Sequence, residues 1–120
     1  MRALRASSYL KRLYNYYNKE FFDDKLPKDA ELYYAPKLDK VRSAKAQHRS
    51  MCAVTYWYED RPNAIVIRRT KTKSIRHIVS DLLHEMCHLS KPNASCEVEH
   101  SEFQEEMKRL AKAGAFYNIW

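Results

Sequence analysis

The run SIRHIVSDLLHEMCHLS, residues 74–90, decides how this chain is read. Ile75, Ile78, Val79, Leu82, Leu83, Met86 and Leu89 recur at three- and four-residue steps, the period of a helix with one apolar stripe. The spacing predicts a helix over 74–89. His77, Asp81, His84 and His88 fall on the opposite, polar face. Inside this helix stands His84-Glu85-Met86-Cys87-His88, an H-E-x-x-H pattern. Residues four apart project from the same side of a helix, so the two imidazoles can grip one metal ion with Glu85 beside it. Zinc takes neutral nitrogen ligands and, where it does chemistry, keeps a position for water. A carboxylate next to that water can take its proton and pass it to a leaving amine. The chain carries 5 His and 9 Glu in 120 residues. At that composition the pattern arises by chance roughly 1–2% of the time, so it outweighs a lone histidine.

Two ligands leave a zinc site short of one. The longer pattern H-E-x-x-H-x-x-G-x-x-H is absent, because Lys91 stands where its glycine would be. The next histidine is His100, which opens a second helical segment expected over 98–116. His100, Phe103, Met107, Leu110 and Gly114 share one face there. A histidine on an inward stripe needs a buried partner, and a zinc ion on the preceding helix would be one. Glu97, Glu99 and Glu102 are the rival ligands, and all three fall off the stripe. The expected set is therefore His84, His88 and His100 around one Zn2+, with Glu85 as base.

Upstream, Leu10, Leu13, Tyr14, Tyr17 and Phe21 make a stripe that predicts an amphipathic first helix. Ala30–Ala35 reads as a short strand. Ala53–Tyr58 and Ala64–Arg69 are rich in β-branched and aromatic residues, and the Glu59-Asp60-Arg61-Pro62-Asn63 turn between them predicts an antiparallel hairpin. Residues 41–48 read as a further strand or its lead-in. The whole is a single domain over 1–120 of class α+β. An N-terminal helix precedes a small, three-stranded, mainly antiparallel sheet, and two helices carrying the site follow.

Composition excludes several classes. No apolar run approaches the roughly 18–20 residues of a membrane span. There is one glycine and there are four prolines, too few for a flexible linker. Three cysteines, Cys52, Cys87 and Cys96, form no disulfide-like pattern and suggest a reducing, intracellular setting, cytoplasmic or nuclear. Cys87 reads as a packing residue, and Cys96, between the two ligand helices, as a small residue near the metal. The net charge is +7, and the basic excess lies ahead of the H-E-x-x-H helix. Its densest part is Arg68, Arg69, Lys71, Lys73 and Arg76. Phosphate of a nucleic acid is the partner such a cluster would attract, and an exposed Trp57 would add base stacking.

The order of these features resembles the SprT-like zinc metallopeptidases, the family of the Spartan DNA–protein crosslink proteases. The resemblance covers most of the chain. LYNYYNKEFFDDKLP, residues 13–27, resembles that family's first helix, with Asn18, Phe22 and Leu26-Pro27 in familiar places. LLHEMCH resembles its active-site helix. EHSEFQEEM resembles its third-ligand helix, with Ser101 where that family usually has glycine. The resemblance implies a zincin-like fold and zinc-dependent peptide hydrolysis. His84, His88 and His100 would be ligands, Glu85 the base, and DNA-associated proteins the substrates. Partners would be a protein or peptide and DNA, single-stranded DNA favoured. His77, Tyr117 and Arg76 are the candidates for steadying the oxyanion. The rival expectation is a non-catalytic nucleic-acid-binding module with a structural zinc, which needs Cys96 as a fourth ligand.

Overall fold

The computed structural model describes residues 5–36, 46–49, 52–70, 73–91 and 101–116. Along the chain run β1 (Arg5–Ala6), α1 (Ser8–Phe21), β2 (Glu31–Ala35), β3 (Ala46–Arg49), β4 (Ala53–Trp57), β5 (Ala64–Arg68), α2 (Ile75–Ser90) and α3 (Glu102–Ala113). The class is α+β. The strands form one mixed sheet in the order β1-β2-β5-β4-β3. It is wider than the three strands expected from the sequence, and β2 joins β5 in parallel, Leu32 opposite Ile65 and Tyr34 opposite Ile67. The β4–β5 hairpin forms as expected, Thr55 opposite Ile65. Of the segment 41–48, residues 46–48 fall in β3 and 41–45 lie outside the described residues; β3 pairs antiparallel with β4 on the side away from β5.

β4 and β5 sit in the middle, and both faces of each are covered. Ile65 and Ile67 of β5 and Ala53 of β4 pack toward the helices, while Val54, Tyr56, Ala64 and Val66 form a second buried cluster on the other face. Burial on both sides explains why AVTY and AIVI read as continuous apolar runs instead of alternating patterns.

Ser7 caps α1, its hydroxyl accepting from the Leu10 amide at 3.1 Å. Leu10, Tyr14 and Asn18, four residues apart, are the buried ridge of that helix. Asn18 is polar, and its use is local. Its side-chain amide donates to the Leu26 carbonyl at 3.1 Å and its carbonyl accepts from the Leu26 amide at 3.0 Å. The chain therefore turns back under α1 through Asp23 and Asp24, both left-handed at φ 53° and 57°. The Tyr14 hydroxyl donates to the Pro27 carbonyl at 2.7 Å and fixes the exit. This latch delivers the chain into β2.

α3 is held at both neighbours. The Ser90 hydroxyl, at the end of α2, donates to Glu106 at 3.0 Å, and Arg109 donates to Glu106 and to the Phe21 carbonyl at the end of α1. Burial pulls the Glu106 carboxyl up, but the hydrogen bonds from Arg109 and Ser90 outweigh it and hold the group below the usual carboxylate range. Ser101 caps α3 and Gly114 ends it at φ 91°, where other residues are strained.

Asn18→Ala should cost about 2–4 kcal/mol, because two buried backbone groups of Leu26 lose their partners together. Denaturant unfolding of the two proteins measures it, and a loss under about 0.5 kcal/mol would mean the latch is solvated.

Candidate metal centre

α2 was expected to show one apolar and one polar face. Instead it is enclosed nearly all round over its second half. Leu82, Leu83, Met86 and Cys87 are buried, and so are Glu85 and His88, at 1% and 2% exposure. The physical reason is that α2 packs on β4 and β5 with α1 and α3 also against it. Only its first turn is open, so Ile75 stands 54% exposed and drops out of the core stripe.

His84 and His88 meet as the four-residue spacing requires. Their Nε2 atoms lie 3.2 Å apart. Two nitrogens held about 2.0–2.1 Å from one tetrahedral ion would lie about 3.3 Å apart, so the pair already has the separation of two ligands on one metal. One carboxylate oxygen of Glu85 completes a group whose ligand atoms all lie within 4.8 Å of one another. His84, Glu85 and His88 are thus a set that a metal ion fits.

Two further side chains build the centre. Phe103, in the first turn of α3, is stacked on His88 with ring centres 4.3 Å apart and meets His84 edge-on at 4.9 Å. It walls one side of the imidazole pair and keeps both rings from rotating away. From the other side comes Thr55 of β4, whose hydroxyl donates to Glu85 Oε1 at 2.7 Å. The strand pattern carried one signal for it: a threonine at a helix-facing position between Ala53 and Trp57.

His100, Glu97, Glu99, Cys96, Lys71 and Tyr117 lie outside the described residues. Glu102 is exposed at the first position of α3. Arg76 and His77 are exposed in the first turn of α2, and seven residues of helix set His77 about 10 Å along the axis from His84.

The basic cluster is also rearranged. Lys73 turns inward, its side chain 9% exposed. Its ammonium bridges Asp81 at 2.9 Å and donates to the Arg68 carbonyl. It ties the end of β5 to α2. Arg69 lies over the Tyr34 ring at 4.9 Å, and Arg68 is half-buried. Trp57 packs against the helix-side core with its indole nitrogen fully buried and without a hydrogen-bond partner. The ring is partly buried, with its polar edge turned into the fold.

Cys87 sits beneath the ligands, its Sγ 3.3 Å from Met107 Sδ on α3. Burial pushes its thiol far above the ordinary range. It is the packing residue the sequence suggests, whereas Cys52 is exposed. No helix among the described residues is long and apolar enough to cross a membrane. Compared with protein-family models, curated proteins and solved structures, the chain finds no match.

Two measurements check this arrangement. An alkylating reagent at neutral pH should modify Cys52 within minutes and spare Cys87 until the protein unfolds, as mapped by peptide mass spectrometry. Lys73→Met should lower stability by about 1–3 kcal/mol through the orphaned Asp81 and leave affinity for single-stranded DNA within about twofold, as read by denaturant melts and fluorescence anisotropy. A tenfold loss of DNA affinity in a stable variant would restore Lys73 to the phosphate contacts.

Proposed function

We propose that the chain is a zinc-dependent peptidase of SprT-like type. The observation that carries the reading is the pairing of the His84 and His88 Nε2 atoms at 3.2 Å, half-buried, with a carboxylate from the intervening, buried Glu85 beside them. Among the described residues the buried polar side chains are Asn18, Thr55, Glu85 and His88. Asn18 is used by the Leu26 latch, and the other three converge here. A folding core gains nothing from such a cluster, because a buried carboxylate and imidazole cost stability unless charge and hydrogen bonds are matched.

His84 and His88 would hold the ion, with His100 as the third ligand. Phe103 supports that choice: it follows His100 by three residues and touches both imidazoles. When bound, zinc would supply a Lewis acid for the scissile carbonyl and make water acidic enough to attack near neutral pH. Glu85 would accept the proton of the attacking water. As the C–N bond breaks it would return that proton to the leaving amine. Thr55, Phe103 and the walls of α2 keep the base and the ligands in place while bulk water is excluded. Among the described strands β3 is the outer one next to β4, and an extended peptide could pair there by main-chain hydrogen bonds. Such pairing favours unfolded or extended protein substrates over a sequence motif. For DNA-associated substrates, Arg69 and Arg76 are the exposed cations of that basic cluster among the described residues.

The experiment is metal analysis and peptide cleavage with and without single-stranded DNA. The parent should bind one zinc per chain. Glu85→Gln should keep the metal and fold and lose about 10²–10⁴-fold in turnover. His100→Ala should lose most of the zinc and the cleavage with it. Full zinc occupancy in His100→Ala would move the third ligand to a carboxylate. Unchanged cleavage in Glu85→Gln would remove the base and the reading.

A further inference from the structure

We propose that Thr55 is a positioning residue for Glu85, fixing the carboxylate against the sheet so that it meets the metal in one orientation. The inference rests on the peptidase reading and adds a residue on a different element from the ligands.

Thr55 is 0% exposed at the middle of β4. It is held on both sides, paired with Ile65 of β5 and His48 of β3. Few points in the sheet are more constrained. Its neighbours on the helix-facing side of the strand, Ala53 and Trp57, pack on the apolar core. Valine has nearly the shape of threonine and would bury there without carrying a hydroxyl out of water. The hydroxyl is instead spent on Glu85 Oε1, donating at 2.7 Å.

Geometry makes this more than satisfaction of a buried polar group. A glutamate has three side-chain torsions and would otherwise sweep its carboxylate over several ångströms. A β-branched residue is stiff at its first torsion, so the donor barely moves. One oxygen pinned to β4 fixes the plane of the carboxylate relative to the His84–His88 pair. Ligands come from α2 and the orientation of the base comes from the sheet, so the spacing between base and metal is set by how α2 packs on β4. Partners of this kind that orient groups at metal sites are worth about 10–100-fold in activity or affinity when removed.

The test uses the full chain loaded with Co2+, whose visible absorption reports the surroundings of the bound ion, and the zinc form for peptide cleavage. Thr55→Val should bind one Co2+ per chain and shift the absorption in the same sense as Glu85→Gln, while Thr55→Ser leaves it as in the parent. In the zinc form, Thr55→Val should lose about 10–100-fold in kcat with KM within about twofold, and Thr55→Ser should recover most of the loss. Should valine prevent folding, Thr55→Ala is read against the same criteria. A Co2+ spectrum and a kcat equal to the parent's in the hydroxyl-free variant would make Thr55 a packing residue and overturn the proposal. If the parent cleaves no peptide while the spectra of Thr55→Val and Glu85→Gln still move together, the peptidase reading fails and the role of Thr55 at the metal stands.

Discussion

Helix α2 is enclosed on nearly every side over its second half, and the rest of the molecule is arranged to make that possible. β4 and β5 form its floor, α1 lies along it and α3 closes the remaining flank. Each large apolar side chain it buries contributes about 1.5–3 kcal/mol. Ile78, Leu82, Leu83 and Met86 are all essentially inaccessible. Enclosure also dictates the chemistry. Where the helix is enclosed it has no solvent face for polar groups, so the buried His88 and Glu85 must be satisfied by neighbours. Those neighbours are Thr55 on the floor, Phe103 on the flank and the partner imidazole one turn back.

The connecting contacts follow from the same requirement. Asn18 holds Leu26 so that the chain leaving α1 can enter β2 beneath it. Lys73 bridges the end of β5 to Asp81, which fixes where α2 begins. Ser90 and Arg109 meet on Glu106, which fixes where α2 ends against α3 and α1. These three polar clamps lie apart from the His84–Glu85–His88 group. Their side chains are polar or charged groups that composition alone would assign to the surface, and Lys73 shows the consequence. Counted with the basic cluster, it reads as a phosphate contact, yet its ammonium is consumed within the fold.

The parts legible in the sequence are those governed by local period and spacing. Helices α1, α2 and α3 announced themselves by three- and four-residue steps, and the β4–β5 hairpin by β-branched runs around a polar turn. The His84–His88 pair needed only the helical repeat, since four residues bring two side chains to one place whatever the tertiary fold. What was not legible depends on contacts between distant segments. Parallel pairing of β2 with β5 has no local signature, because it joins strands about thirty residues apart and leaves the hairpin pattern unchanged. The inward turn of Lys73 requires Asp81 to be opposite it, and the burial of His88 requires α3 to arrive. Thr55 belongs to the same group: a single threonine in AVTYW is ordinary for a strand, and only the packing of α2 makes it a partner of Glu85.

Site and core are therefore one object here, and this bears on how precision is reached. Groups on loops can be moved by small changes in the loops. His84, Glu85, His88, Thr55 and Phe103 sit instead on two helices and a central strand, where a shift of any one displaces close-packed neighbours. The orientation of the carboxylate is set by a strand that pairs on both sides, and that of the imidazoles by a ring stacked from α3. Packing energy that any folded domain must find is thus used a second time, to hold Glu85 and the two imidazoles at fixed separation. Buried polar groups lower the stability of such a core unless a cation shared among them restores the balance. A bound metal would then add to the folding energy as well as to the chemistry, since the unfolded chain offers no preformed set of ligands.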